Sequence, residues 1–259
     1  MRKLPDEDAW RGAEPLPNSL DVARLGQIYS RTAAFYDGIV AERQAGPKIE
    51  ALRQLKRQPA EPFLEVGVGT AWAFVRLIAE SGGANAYGLD VAPGMLDVAR
   101  QRLSELPQQG PESHPEPVED HVRTEPDEGR VPESTAVPLI LADARSLPFP
   151  DAAFDCLLST YTCEVLATPD IPQVLDEYLR VLKPGGRIAV VNLTDGEGAD
   201  AAMTEDWKRR YQDDPEYFGG ARPLHLRPML EARGFTYVSH TYVGPDWPSE
   251  VLLAYRPST

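Results

Sequence analysis

The sequence predicts an α/β protein built on a doubly wound, seven-stranded sheet that is mostly parallel and has one antiparallel strand. Short apolar runs alternate with amphipathic helical segments through the middle of the chain, which is the pattern of a parallel sheet with helices on both faces. Near the end, apolar runs at 235–243 and 250–255 follow each other closely around Gly244-Pro245-Asp246. Such spacing favours an antiparallel pair at one end of the sheet.

The first part of the chain predicts a helical cap ahead of the sheet. Residues 1–18 are polar and rich in proline, which is typical of a flexible tail. Apolar side chains then recur at helical spacing through 19–57, as they do on one face of a helix. Because Gly46-Pro47 interrupts this pattern, we expect at least two helices in the cap.

The main domain is expected over 58–259, and it opens in the order strand, helix, strand, helix. Strands are expected at 62–66 and 86–90, each followed by a helix, at 71–80 and 93–106. After residue 136 the alternation resumes. Further strands are expected at 137–141, 154–160 and 187–193, and further helices at 171–182, 199–211 and 224–233.

An acidic, proline-rich segment at 107–136 interrupts this alternation. It contains almost no large apolar side chains, so it cannot bury enough area to offset the entropy lost on ordering. We therefore expect a mobile surface insertion. His114 and His121 lie within it, but without cysteines or a matching pair they predict no metal site.

Charge and cysteine content narrow the classes of function. The formal net charge is −14, which argues against a nucleic-acid partner because such binding draws on clustered Lys and Arg. No apolar run is long enough to span a membrane, and the N-terminus lacks the apolar core of a secretory signal. The two cysteines, Cys156 and Cys163, are best explained as thiols in a reducing cytoplasm.

The turn after the first strand is the first candidate for ligand binding. Gly67 and Gly69 allow the backbone to approach a ligand where any Cβ would collide, at the sheet edge where open α/β sheets bind ligands. A nicotinamide-dependent oxidoreductase would need a third glycine where this chain has Trp72. That side chain would obstruct the helix–strand packing beneath a pyrophosphate, so this class is disfavoured.

Two carboxylates are expected at the same edge. Asp90 ends the second strand, about twenty residues after the glycines, where it can accept both hydroxyls of a ribose or cap the next helix. Asp143 follows the third strand and can accept from an adenine amino group, while the N–H of Ala144 donates to a ring nitrogen.

Four segments stand in order along the chain: LEVGVGTA, GLDVAPGMLDVAR, LADARSLPFPDAAFD and LRVLKPGGRIAVV. Together they resemble the successive motifs of class I S-adenosylmethionine-dependent methyltransferases. Within this family, the sequence resembles the branch of the quinone-biosynthesis C-methyltransferases and the bacterial phospholipid N-methyltransferases. The likeness covers about 19–257, with 107–136 foreign to it. Ala71 replaces the family's third glycine, and we expect a slightly reshaped pocket.

The resemblance implies S-adenosylmethionine as the cofactor and a contact residue for each part of it. The implied residues are Glu65 supporting the loop, Gly67, Gly69 and Thr70 at the methionine end, Asp90 at the ribose, Val91, Met95, Asp143 and Ala144 around the adenine, and Thr160 near the sulfonium. Tyr29 and Tyr36 lie in a segment similar to the one that caps the site in these branches. Seven residues apart, they can share a helix face and form part of a lid, or pack on the sheet.

The implied activity is methyl transfer to a small-molecule or lipid-like acceptor, for which the protein must align the nucleophile and exclude water. A base is needed only if the acceptor must lose a proton. The candidates are Tyr161, Glu164 and Tyr36, and more remotely Asn192 and His225. A non-catalytic S-adenosylmethionine-binding protein is the main alternative, with an oxidoreductase less favoured.

Overall fold

The computed structural model describes residues 16–106, 137–245 and 247–259. The expectations for the insertion at 107–136, and for most of the tail at 1–18, lie outside these residues. The helices are α1 (Val22–Leu55), α2 (Trp72–Ser81), α3 (Pro93–Ser104), α4 (Ile171–Val181), α5 (Asp200–Asp213) and α6 (Leu226–Ala232). The strands are β1 (Phe63–Val66), β2 (Ala86–Asp90), β3 (Leu139–Leu141), β4 (Phe154–Thr160), β5 (Leu182–Leu193), β6 (Thr236–Val243) and β7 (Ser249–Tyr255).

All seven strands form one sheet in the order β3-β2-β1-β4-β5-β7-β6. β7 runs antiparallel to both of its neighbours, and the remaining pairs are parallel. The predicted fold class is therefore confirmed. Val66, at the end of β1, pairs with Leu89 in β2 and with Ser159 in β4. This register brings the carboxyl ends of three central strands to one edge of the sheet.

The core lies on both faces of the sheet because strand side chains alternate between them. In β4, Leu157 packs in the cluster that contains Val174 of α4, whereas Leu158 packs in the cluster that contains Phe74 of α2. All four side chains are fully buried. β4 is thus apolar on both sides, as expected of a central parallel strand covered by two helical layers.

The N-terminal helical region is one helix, so the prediction of a break at Gly46-Pro47 was wrong. α1 begins after Asp21, whose side chain accepts a hydrogen bond from the Arg24 N–H at 2.7 Å, and Pro47 lies within it. A proline inside a helix costs roughly 3 kcal/mol through a lost hydrogen bond and a clash. Here α1 packs against α3, β5 and β7, and Pro47 is buried. The packing of the whole helix offsets the cost.

β5 begins five residues earlier than expected, directly after α4. The N–H of Gly185 donates to the carbonyl of Arg256 at 3.0 Å, and the N–H of Arg256 donates to the carbonyl of Gly186 at 2.8 Å. The segment after β7 therefore extends the sheet across the glycines. Within the described residues, no helix is long and apolar enough to cross a membrane.

Candidate functional site

One cavity lies at the carboxyl edge of the sheet, between the strand ends and α1. The eleven residues that the sequence assigned to a cofactor come from five separate segments, and all of them line this cavity. They are Tyr29, Glu65, Gly67, Gly69, Thr70, Asp90, Val91, Met95, Asp143, Ala144 and Thr160. The parallel strands cause this convergence, because each strand ends at the same edge of the sheet and is followed there by a loop.

The turn after β1 depends on glycine at residue 67. Gly67 has a φ of +71°, and a Cβ added there would lie 2.0 Å from the Thr162 hydroxyl. The N–H of Gly67 donates to the carbonyl of Leu89 at 2.8 Å, and that of Val68 donates to the same oxygen at 2.9 Å. At residue 67, backbone without a side chain therefore forms the cavity wall. Ala71 also has a positive φ, +62°, which strains an alanine backbone, and it is not among the residues that line the cavity.

Asp90 links the first two loops at the edge. One carboxylate oxygen accepts from the N–H of Gly69 at 2.8 Å, and the other accepts from the N–H of Ala92 at 2.9 Å. Ala92, and not Asp90, is the residue that precedes α3 as its cap. Burial raises the pKa of Asp90, although the hydrogen bonds from the backbone oppose that shift. Asp90 thus fixes the shape of the glycine turn and also faces the cavity.

Asp143 has a partner that the sequence reasoning missed. Arg145 lies two residues later, and its guanidinium contacts the Asp143 carboxylate at 2.7–3.2 Å. The same guanidinium reaches Asp170 at 3.0 Å. The sequence signal for the pairing of Arg145 with Asp143 was their spacing of two residues, in Asp-Ala-Arg. The pair fixes the orientation of Asp143, and a carboxylate retains further acceptor positions beyond those used by arginine.

Thr70 belongs to a second unexpected network. Its hydroxyl donates to Asp37 of α1 at 2.8 Å, and the Arg102 guanidinium of α3 donates to the Thr70 carbonyl at 2.9 Å. Arg102 and Asp37 also form an ion pair. α1, α3 and the glycine turn are therefore tied together beside the cavity.

Tyr29 and Tyr36 lie on the cavity-facing side of α1, as their spacing predicted. Their rings meet edge to face with centroids 6.0 Å apart, and both line the cavity. The Tyr29 hydroxyl donates to the carbonyl of Gly219 at 3.2 Å. Burial raises the pKa of both phenols, so both are neutral at physiological pH.

The three catalytic candidates are placed differently. Tyr36 and Tyr161 line the cavity, whereas Glu164 is not among its lining residues. The Tyr161 hydroxyl lies 2.8 Å from that of Ser249, and burial raises its pKa, which disfavours it as a base. The Glu164 carboxylate accepts from the N–H of Leu193, and burial raises its pKa to about 8. Glu164 therefore supports the end of β5.

The two more remote candidates also lie off the cavity wall. The Asn192 amide donates to the carbonyls of Leu193 and Leu224 at 2.9 and 3.1 Å. The His225 ring nitrogen lies 3.0 Å from a carboxylate oxygen of Asp195. Both side chains make contacts that hold β5 against the segment leading into α6.

Burial also perturbs the pKa values of Lys48 and Glu65, which both line the cavity. Desolvation lowers the pKa of Lys48 to about 8, although Glu65 opposes the shift. Desolvation raises the pKa of Glu65 to about 8, and Lys48 opposes that shift in turn. One Glu65 oxygen, Oε2, has no hydrogen-bond partner. The sequence showed no pattern that singled out Lys48.

Comparison with known proteins identifies related sequences. Residues 64–190 match the family model described as "Methyltransferase domain". The chain is 32% identical over 189 residues to the malonyl-[acyl-carrier protein] O-methyltransferase of Serratia marcescens, covering 71% of this chain and 60% of that protein. It is 27% identical over 166 residues to the demethylmenaquinone methyltransferase of Symbiobacterium thermophilum, covering 62% and 55%. The matched region therefore spans a little over half the length of these relatives.

Comparison of folds agrees with the sequence match. The [4+2]-cyclase SpnF superposes with a TM-score of 0.67 at 18% identity, covering 95% of this chain and 100% of that one. At this identity the likeness concerns the fold alone.

Proposed function

We propose that this chain, which belongs to the class I S-adenosylmethionine-dependent methyltransferases, transfers the methyl group of this cofactor to a small-molecule or lipid-like acceptor. The observation that carries the proposal is the convergence of all eleven implied contact residues on one cavity wall. These residues come from α1 and α3, from the ends of β1, β2 and β4 with the loops that follow β1 and β2, and from the loop after β3. Packing of a core gives no reason for them to share a cavity.

Two features of the cavity fit an adenosyl ligand with an amino-acid end. The glycine turn leaves no room for a side chain at residue 67, so backbone alone faces the ligand there. Asp90 and Asp143 supply acceptors for ribose hydroxyls and for the adenine amino group. The apolar side chains of Val91 and Met95, which line the same cavity, would contact the faces of the adenine ring.

The bound cofactor supplies a methyl group on a sulfonium that is already activated for displacement. The chain's own residues therefore have two tasks, to orient and to exclude water. Orientation can account for roughly 7–11 kcal/mol of the lowering of the barrier. The Asp90 hydrogen bonds and the Thr70–Asp37–Arg102 network hold the glycine turn in place. Tyr29 and Tyr36 shield the cavity from water on the side of α1.

The acceptor is proposed from the relatives and from the cavity wall. The relatives named above methylate a malonyl-[acyl-carrier protein] and a demethylmenaquinone, according to their names. Apolar side chains of α1 and of the segment after β4 line this cavity, namely Val22, Leu25, Val165 and Leu166. Such a wall favours an apolar acceptor. The net charge of −14 opposes a nucleic acid.

A methyl-transfer screen tests the proposal. The protein is incubated with methyl-labelled S-adenosylmethionine and a panel of quinols, phenols, amines and phosphatidylethanolamine. We expect label to enter one class of acceptor, with release of S-adenosylhomocysteine. If calorimetry shows that the protein does not bind S-adenosylmethionine, the proposed function is wrong.

A non-catalytic cofactor-binding role is the second candidate. SpnF, which shares this fold, is named a [4+2]-cyclase, so the fold serves activities other than methyl transfer. Tight cofactor binding without transfer of label to any acceptor would favour this candidate.

A cytoplasmic location stays a prediction of the sequence. Cys156 and Cys163 are both buried and unpaired, which supports a reducing compartment.

A further inference from the structure

A second cavity, of about 700 Å³, lies at the same edge of the sheet as the cofactor cavity, which is the one lined by the eleven implied contact residues. β6 ends at Val243, and β7 begins at Ser249, which pairs with Leu193 at the end of β5. The hairpin that joins β6 and β7 therefore stands beside the carboxyl end of β5. Residues of this hairpin, of α1 and of α5 form the walls of the second cavity. Because open α/β sheets bind ligands outside the carboxyl ends of their strands, this cavity has the position of a ligand site.

The two cavities are neighbours. Tyr161, directly after β4, lines the cofactor cavity, and its hydroxyl lies 2.8 Å from that of Ser249. The Ser249 hydroxyl donates to the carbonyl of Trp247 at 3.0 Å, and Trp247 lines the second cavity. None of the described residues lines both cavities, so a ligand in one leaves the other free.

Two indole rings form a corner in the second cavity. The rings of Trp207 and Trp247, both on its wall, have centroids 5.3 Å apart and planes at 89° to each other. A flat aromatic ring that stacks on one indole meets the other edge to face, and aromatic pairs prefer both arrangements. An aliphatic ligand of the same size would fill the corner without these contacts. The corner therefore favours an aromatic ring.

Beside Trp247 there are two hydrogen-bond donors without an acceptor. Trp247 is 8% exposed, and its indole N–H has no partner among the described residues, although a buried indole N–H usually has one. The Arg43 guanidinium lies 5.9 Å from the centre of the same ring, and it makes neither a hydrogen bond nor an ion pair with any residue that the structure describes. A carboxylate, with two oxygens and a negative charge, is complementary to this pair of donors.

The other charged side chains on the wall do not favour a cationic ligand. Asp206 and Arg210 form an ion pair at 3.9 Å, and Asp206 also pairs with Arg209. Glu42 is exposed. The described part of this wall therefore offers no buried, unpaired carboxylate to a cation, and Arg43 is the charge next to the indole corner.

We propose that the second cavity binds a flat aromatic carboxylate, with its ring in the corner of Trp207 and Trp247 and its carboxylate at the Trp247 N–H and Arg43. This inference goes beyond the proposed function, because the site is separate from the cofactor cavity and does not depend on it. Its place beside that cavity suits a molecule that the protein uses together with the cofactor.

Calorimetric titration with 2-naphthoate and two analogues tests the class of ligand. Decahydronaphthalene-2-carboxylate keeps the charge but has no aromatic ring, and naphthalene-2-carboxamide keeps the ring but has no charge. S-adenosylhomocysteine fills the cofactor cavity during the titration. We expect 2-naphthoate to bind about 2- to 10-fold more tightly than the saturated acid. It should bind about 2- to 5-fold more tightly than the amide, since Arg43 is exposed.

Two glycine substitutions on α1 test the location. Gly46 lines the second cavity, and a Cβ added there meets only the Val243 side chain, at 3.8 Å. Gly46→Leu should therefore fill the cavity without a collision and weaken binding of 2-naphthoate by about ten-fold or more. Gly38→Leu is the matched control, because a Cβ there meets nothing within 4 Å and Gly38 lies outside both cavities. Both variants should unfold at or above the temperature of the intact protein, since leucine favours a helix over glycine.

Arg43→Gln tests the charge beside the corner. The preference for 2-naphthoate over the amide should disappear, whereas the preference over the saturated acid should stay. Arg53→Gln is the control on the same helix, because Arg53 pairs with Glu50 and lies outside both cavities. It should bind all three ligands as the intact protein does.

The inference is wrong if the intact protein does not bind 2-naphthoate, or if Gly46→Leu binds it as tightly as Gly38→Leu does. Equal affinity of the intact protein for 2-naphthoate and the saturated acid would exclude the aromatic class. An Arg43→Gln variant that keeps the preference over the amide would exclude the contact with Arg43. If the protein does not bind S-adenosylhomocysteine, the proposed function alone fails, and the same titrations without that ligand still decide whether the second cavity binds an aromatic carboxylate.

Discussion

The cavity has two sides that are built in different ways. Its floor consists of the strand-end residues 65–70, 90–91, 143–144 and 160, and its cover consists of the cavity-facing residues of α1, which are Val22, Leu25, Tyr29, Tyr36 and Lys48. The floor is shaped by backbone geometry, through the positive φ of Gly67 and the N–H groups that Asp90 accepts. The cover is shaped by side chains on one long helix.

Because the two sides are built differently, substitutions on the floor and on the cover should have different effects on folding and on cofactor binding. The floor is tied by hydrogen bonds between neighbouring strands and loops, so a change there should alter both folding and cofactor binding. The cover is joined to the floor mainly through the Thr70–Asp37–Arg102 network and through packing. Changes in its cavity-facing side chains should alter binding with less effect on folding.

Gly67→Ala should produce the largest effect, and it falls on the floor. The added Cβ meets the Thr162 side chain at 2.0–3.0 Å, at a φ of +71°. Strain and collision should lower the free energy of unfolding by about 2–4 kcal/mol. Urea denaturation measures the loss, and calorimetry should show that binding of S-adenosylmethionine is lost as well.

Gly38→Ala is the control for that substitution on the cover helix. A Cβ there meets nothing within 4 Å, and alanine favours a helix over glycine by about 1 kcal/mol. The control should therefore be slightly stabilised. A Gly67→Ala variant as stable as Gly38→Ala would show that the turn is not closed against side chains.

Asp90→Ala, which also lies on the floor, should have the next largest effect. Loss of charged hydrogen bonds of about 1.5–3 kcal/mol should weaken cofactor binding roughly ten-fold to several-hundred-fold. The structure adds that the N–H groups of Gly69 and Ala92 lose their acceptor, so thermal stability should also fall. Unchanged affinity in calorimetry would exclude Asp90 from the site.

Glu65→Gln tests the protonation of a buried carboxyl on the floor, through the pH dependence of stability. Because the folded-state pKa of Glu65 is raised to about 8, above the ordinary value near 4.5, the folded protein retains a proton that the unfolded chain releases. The intact protein therefore loses stability as pH rises from about 5 to 8. The variant should therefore be more stable than the intact protein at pH 9 and nearly equal to it at pH 4.5. An identical difference at both pH values would contradict the buried, protonated state.

Tyr29→Phe should be the smallest effect, and it falls on the cover. It removes the hydrogen bond to the Gly219 carbonyl, worth about 0.5–1.5 kcal/mol, while the ring contact with Tyr36 is kept. Cofactor affinity should change by less than ten-fold. A loss as large as that of Asp90→Ala would mean that the phenol hydroxyl contacts the ligand directly.

The sequence predicted the floor far better than the cover, and the reason is physical. Glycines after a strand and acids at strand ends are local features, and parallel strands bring their carboxyl ends together whatever the rest of the chain does. The sheet, the pairing of β6 with β7 and the segments that form the floor could therefore be predicted from short stretches of sequence.

The cover depends on tertiary contacts, which leave little trace in local sequence. Gly46-Pro47 is a local signal for a break, but packing of α1 on the sheet overrides it. Lys48 carries no local signal, because a lysine at that helical position is ordinarily a solvated one. The ion pair of Asp37 with Arg102 likewise becomes visible only when α1 and α3 are placed together.

A crystal structure of the protein with S-adenosylhomocysteine is the most direct test of a single cofactor site. We expect the adenosine to lie against Asp90 and Asp143 of the floor, and the amino-acid end to lie beside Gly67, beneath the cover. A ligand bound outside this cavity, or one that touches Asp90 but not Asp143 and Gly67, would contradict the claim that these segments form one site.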